Sequence, residues 1–564
     1  MSPPSLVVSY TSVSLMMLTL PDIGSASTLT SAAIANFAGM AEADAGRIRG
    51  HYLSLGYPEA KIPPPRIDLS EDGTRATVRF QVEEGEPAKV GAVRVEGNGS
   101  IPSQTLLEGF PIQEGDPFVR AKARAGSESI RRQYDRAGFP DAKVSFELKP
   151  TSPPELVVRV EEGKRRTVGR IDIEGIRMTR REVVERELTF KEGNPLSREE
   201  VLKSQRALYR LGIFRSVEIQ EAEGSDPERP TIRIRVAESP NLTQSVGIGY
   251  GSDEGIRGLY EATDANLFGR ARTVGLQLRG SGIESRALAL LKDPYLFNRR
   301  LDSLLTAYWE RQERESFTLR TRGSSLQVSN KHGEHDRTLY RYTLKDVSLS
   351  DLQITEEEAG IQSLRLSGLA AAFIHDSRDD FFNPRKGSFV SFDLEAFGRA
   401  IGSEAQFLKF AASGSHFTKL LGDSVWAQSI RLGLAEPFGA SDLLPLSERF
   451  FAGGDTSVRG FRRDGVGPKD PLTGKPTGGE TLFIINEEFR YPIWRVLRGV
   501  VFFDAGNVTS RFSEFDPTDL RKVLGLGFRI DTPIGPFRVE YGWKLDREDE
   551  ESPGELHISI GQAF

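Results

Sequence analysis

The sequence predicts an all-β transmembrane barrel of sixteen antiparallel strands, preceded by repeated α+β modules. Three observations carry the prediction. Residues 90–97 recur in register at 168–175, each copy followed by a helix-forming stretch. After Pro240 the helical spacing disappears, and short alternating segments follow one another roughly every 20 residues to the end of the chain. The last of them closes on an aromatic residue, Phe564.

Composition allows this reading and removes several others. At 564 residues the chain is too long for a single core. It contains no run of 18 apolar residues, so transmembrane helices are excluded. A charged fraction of 27% and a mean hydropathy of −0.36 do not exclude the membrane. A barrel strand alternates lipid-facing with lumen-facing residues, and averaging hides it. The net charge of −6 gives no basic footprint for nucleic acid, and with no cysteine neither a disulfide nor a thiolate metal site can form.

Residues 1–26 read either as a secretory signal or as a worn start of the first module. The stretch 5–20 is fairly apolar and Gly24-Ser25-Ala26 is small, but no Lys or Arg precedes Arg47. Residues 27–86 form a partial module, legible in Tyr52-x3-Gly56-Tyr57 and the strand Val78–Val82. The modules at 87–163 and 164–239 are clearer. Val90-Gly91-Ala92-Val93-Arg94-Val95-Glu96-Gly97 returns as Val168-Gly169-Arg170-Ile171-Asp172-Ile173-Glu174-Gly175, and Glu114-Gly115-Asp116-Pro117 as Glu192-Gly193-Asn194-Pro195. Each reads strand, helix, helix, strand, strand. Pro117 and Pro195 are expected near the first helical turn. Val201, Leu202, Ala207, Leu208 and Leu211 give helix 198–211 its apolar face, and Gly138 and Gly212 suit left-handed helix stops. A three-stranded sheet leaves edges, which serve either as a capped spacer or as a rail that adds a client strand.

Residues 240–564 supply the sixteen strands, the first centred on 243–250, the eleventh on 424–434, the twelfth on 480–491 and the last on 555–564. An even number closed on itself leaves no open edge in lipid. Leu524, Leu526, Phe528 and Ile530 alternate with Gly525, Gly527, Arg529 and Asp531. Phe537, Val539, Tyr541 and Trp543 alternate in the same way with Arg538, Glu540, Gly542 and Lys544. A soluble sandwich shows the same period with the opposite sense. All four Trp (Trp309, Trp426, Trp494, Trp543) lie in this half, as an interfacial belt requires. The longest loop, 437–479, carries Arg459, and Glu488 and Asp504 fall on the inward parity of neighbouring strands. A guanidinium suits such carboxylates because its planar fork donates twice. Arg459 is otherwise an exposed loop arginine.

The segment Arg449–Phe461, with its core Val458-Arg459-Gly460-Phe461, resembles the signature of the BamA/TamA superfamily of outer-membrane assembly insertases. Asp293–Phe297, Phe502–Asn507 and Thr532–Pro536 are similar to further motifs of that family, and the modules resemble its POTRA domains. The ending Leu556, Ile558, Ile560 and Phe564 is similar to the signal by which barrels are recognised for insertion. Three modules and this length look more like the TamA branch.

The resemblance implies that the loop folds into the lumen and sets Arg459 against the barrel wall. It also implies a lateral gate between the first strand, with Gly247, Gly249 and Gly251, and the sixteenth, with Gly561. Small residues that merely line a crowded lumen are the plainer account of these glycines. The implied partners are unfolded outer-membrane clients, β-barrels or autotransporters, and an inner-membrane or periplasmic protein on the modules. The implied place is the bacterial outer membrane, with the modules in the periplasm. No cofactor, metal or catalytic residue is nominated: no nucleophile elbow or phosphate loop is present, and Gly525-Leu526-Gly527 lies on a strand. Two other readings stand beside the insertase, a two-partner-secretion export pore and a passive porin or surface receptor.

Overall fold

A computed structural model describes residues 5–9, 42–69, 76–296, 299–381, 383–420, 422–530, 532, 537–549 and 551–560. Gly561 and Phe564 therefore lie outside the described residues. The chain divides into two compact units, the modules through Ala237 and the barrel from Glu238, with Arg177–Val183 grouped with the barrel.

The second and third modules are built alike. In the second, Ala92–Glu96 runs parallel to Glu155–Glu161, which pairs antiparallel with Lys143–Lys149. Helices Ser103–Leu107 and Arg120–Arg136 cover the sheet. Leu106, Ile112, Ile130, Tyr134 and Leu156 fill the core between these layers, each almost fully buried. In the third, Ile171–Glu174, Ile232–Glu238 and Phe214–Glu221 repeat the sheet, and Arg181–Glu185 and Arg198–Arg210 repeat the helices. The first module has a helix over 42–54 and a three-stranded sheet in which Ser5–Ser9 lies antiparallel to Ala76–Gln81.

Pro117 and Pro195 stand before the helices, in short bridges to Lys89 and Thr167. The third module's long helix starts at Arg198, and Ser197 caps it by accepting from the Glu200 amide at 3.3 Å. Leu202, expected on the apolar face, is instead exposed, because the buried stripe of that helix runs through Ser204, Ala207 and Leu208 and leaves position 202 about 100° away from 201. Gly138 and Gly212 do adopt left-handed φ, at 93° and 72°.

One junction recurs between modules. The Gly56 carbonyl accepts from the Ala88 amide and the Phe118 amide donates to the Ala88 carbonyl; Gly138, Arg166 and Leu196 repeat the arrangement at 2.7 and 3.0 Å. The second junction is reinforced by buried Asp135, which accepts from Ser197 Oγ at 2.5 Å and from the Arg198 and Glu199 amides at 2.9 and 3.0 Å. Hydrogen bonds from Arg136 and then Lys203 bring the Glu199 carboxyl down to about 2.

The barrel is closed, each strand from Leu242–Gly251 to Gly554–Ile560 pairing antiparallel with the next and the last returning to the first. Its sense is inside-out relative to a soluble protein. Leu524, Leu526 and Phe528 are exposed on the outer face at 46%, 51% and 54%, while Asp504, Glu540 and His557 are buried within. Trp426 and Trp494 adjoin turns at the rim where the first strand starts, and Trp543 and Trp309 lie toward the other rim.

Candidate functional site

The site grows from the segment joining the eleventh strand, Val425–Pro437, to the twelfth, Thr481–Trp494. Loops usually avoid the interior because their backbone polar groups need partners there. This loop brings its own: Phe450 bridges Gly479, and Ala452 bridges Val466. Buried Glu448 pairs with Lys345 at 2.7 Å and Lys409 at 3.3 Å, Asp464 pairs with Arg314 at 2.7 Å, and Asp470 accepts from the Thr355 amide and hydroxyl. Val458 and Phe461 pack with Val500, Phe502, Val508 and Val523 of the wall.

Val458, Arg459, Gly460 and Phe461 are all buried. Arg459 donates from Nε and Nη2 to the two oxygens of Asp504, each at 2.8 Å, and its amide donates to Asp504 Oδ2 at 3.0 Å. Nη1 reaches Glu488 at 2.9 Å and Glu540 at 3.2 Å, and the guanidinium lies 3.6 Å from the centre of the Phe502 ring. Arg529 binds Glu540 through Nε at 2.9 Å and Glu488 at 2.7 Å, and Arg490 closes on Glu488. Three guanidiniums thus meet three carboxylates, and the cluster is neutral, as burial demands. Gly460 has no room for a side chain: a Cβ there would stand 2.6 Å from Val523 Cγ2.

The second feature is the seam. Among the described residues the first and last strands share two register pairs, Tyr250 with Ile560 and Gly251 with Ser559. The Ser252 amide adds one bond to the Ile558 carbonyl at 2.8 Å. Gly247 lies below the paired stretch, and a Cβ on Gly249 would stand 2.9 Å from the Ile560 carbonyl oxygen. Val246 and Ile248 beside them are exposed at 76% and 68%. Leu556 faces outward, with Ile558 and Ile560 on the same side of the last strand, half-buried.

Residues 266–564 match the Omp85 superfamily domain. The chain belongs to the Omp85 superfamily. Residues 88–163 and 166–239 each match the POTRA family, described as a surface antigen variable number repeat. The chain is 26% identical over 546 residues to the outer membrane protein assembly factor BamA of Nitratidesulfovibrio vulgaris, covering 93% of this chain and 68% of that one. It is 30% identical over 362 residues to the sorting and assembly machinery component 50 homolog B of Xenopus laevis, covering 61% and 74%. Among solved structures, Haemophilus ducreyi BamA lacking POTRA domains 1–3 superposes with a TM-score of 0.67 at 18% identity, over 84% of this chain and 99% of that one. CdiB of Escherichia coli shares the fold at a TM-score of 0.51 and 15% identity, over 96% and 100%.

Within this Omp85 barrel the structure brings Arg459, Glu488 and Asp504 together and leaves Gly247 apart from any described residue of the last strand. Sequence reasoning missed Glu540, Arg529 and Arg490 as members of the cluster. The signal for the first two was available, since both sit on the charged parity of their strands. Charge at inward positions of adjacent strands points to a common lumenal partner.

Proposed function

We propose that this outer-membrane protein assembly factor inserts client β-barrels, autotransporters among them, through the seam between its first and last barrel strands. The barrel lies in the outer membrane and the N-terminal modules in the periplasm. The modules orient clients, using sheet edges such as Lys143–Lys149 as rails or docking an inner-membrane or periplasmic partner. The carrying observation is the first strand at the seam, where Gly249 and Gly251 meet the last strand with no side chain to pack against it. Without side-chain packing the backbone bonds carry that junction, and a net hydrogen bond contributes only about 0.5–1.5 kcal/mol. Opening there exposes a strand edge that a client strand can pair with, and client folding supplies the free energy. A passive pore needs an open lumen, whereas here the interior holds the anchored loop.

Because the chain has no native cysteine, the test is clean. The register places Gly251 opposite Ser559, and directly opposed antiparallel residues meet the Cα spacing of a disulfide. This pair replaces Gly247 with Gly561, the latter outside the described residues. In the Gly251→Cys, Ser559→Cys protein, oxidation is expected to stop insertion of a barrel client into vesicles and reduction to restore it. Undiminished insertion by the fully oxidised protein overturns the proposal.

A further inference from the structure

Asp253 lies in the turn joining the first two barrel strands, and it touches both the lumen loop and the far side of the seam. Its Oδ2 accepts from the Asp455 amide at 3.2 Å, and its Oδ1 faces His557 Nδ1 of the last strand at 3.6 Å. His557 is buried, and its Nε2 lies 3.0 Å from the carbonyl oxygen of Arg459. A carbonyl only accepts, so Nε2 carries the proton in that contact. Nδ1 then meets the Asp253 carboxylate with attraction only as an imidazolium. Asp455 of the loop also faces the ring and is paired with Arg538 at 3.7 Å, and Glu540 stands opposite His557 in register on the fifteenth strand, Phe537–Lys544. Next to this pair, the Ser252 amide and hydroxyl bond the Ile558 carbonyl and amide across the seam.

The contacts form a closed chain. Arg459 is held to the wall by its side chain, His557 is held by the Arg459 carbonyl, and Asp253 holds both His557 and the loop. We infer that Asp253 and His557 are positioning residues that couple closure of the seam to seating of the lumen loop. While Arg459 occupies its carboxylates, its carbonyl orients His557 toward Asp253 and the last strand stays tied to the first hairpin. When the loop withdraws, the tie is lost and the seam opens with it. The inference rests on the seam being the exit proposed above, and it adds what regulates that exit.

The test reads the seam directly, not client insertion, so its failure leaves the exit itself untouched. The full chain with Gly251→Cys and Ser559→Cys is placed in phospholipid vesicles, and cross-link yield is measured after a fixed short oxidation. Folded barrel is confirmed by its altered gel migration without heating. Arg459→Lys, which unseats the loop, is expected to lower the yield about fivefold when Asp253 is present. In an Asp253→Asn background the yield is low already, and adding Arg459→Lys changes it by less than about twofold. If Asp253→Asn does not fold, His557→Gln serves as the background, since its amide still donates to the Arg459 carbonyl but carries no charge. An equal fall in both backgrounds, or no fall in either, overturns the coupling, because independent elements give additive effects.

Discussion

Arg459 makes five hydrogen bonds to three carboxylates. Removing one partner of a buried charge cluster costs about 3–5 kcal/mol, since the remaining charges are left uncompensated. Arg459→Ala is therefore expected to destabilise the folded barrel by about that amount. Arg459→Lys should recover only part of it, because an ammonium cannot span Asp504 bidentately and still reach Glu488. Urea unfolding in lipid, followed by gel migration, measures both. Full stability of Arg459→Lys, with loop 438–480 unchanged in protease resistance, would count against the assignment. The motif and two of its carboxylates were legible in the sequence because loop length, arginine and inward parity coincide there. Asp253 and His557 were not, because neither parity nor spacing reveals that a turn beside the first strand meets the last strand after the barrel closes.

Within the modules, one carboxylate recurs as a staple between the ends of the element series. Glu162 accepts from the Gly99 and Ser100 amides, both at 2.7 Å, from Ser100 Oγ at 2.6 Å and from Tyr134 Oη at 2.8 Å. Glu238 does the same for the Met178 and Thr179 amides. Burial pushes the Glu162 carboxyl up, but the bonds from Ser100, Tyr134 and Gly99 outweigh it and hold the group below its ordinary value. A carboxyl with a lowered folded pKa contributes stability above its unfolded value, near 4.3, and loses it as pH falls through the folded one. Amide exchange of strands Ala92–Glu96 and Glu155–Glu161 in the full chain, corrected for intrinsic rates, should accelerate as pH drops from 5 through about 3. Glu162→Gln should exchange faster at neutral pH and lose most of that dependence; an unchanged acid profile would refute the role. The repeat was readable because each module reuses the same turns. The side of the third module's helix was only partly readable, since Leu202 lies off the stripe that Ser204, Ala207 and Leu208 bury.

At the scale of the whole molecule, the sense of the barrel decides what kind of protein this is. Alternation alone left a soluble sandwich open, and only closure showed which face meets the environment. The exposed face carries Leu276, Leu326, Leu344, Leu369, Leu432, Leu526 and Phe528, while the salt-bridged residues point inward. A surface of this kind is stable only against hydrocarbon, and polar substitutions on it cost more the nearer they lie to the bilayer midplane. Leu526 stands midway along the strand Arg521–Ile530, whereas Leu545, equally exposed, lies in the turn after the fifteenth strand. Leu526→Arg is therefore expected to destabilise the barrel in bilayers by about 2–4 kcal/mol and Leu545→Arg by about 0–1 kcal/mol. Equilibrium refolding into vesicles measures the difference. If the two substitutions cost the same, the outer face does not meet lipid tails, and the seam between the first and last strands opens onto water, where a client strand would gain nothing from leaving through it.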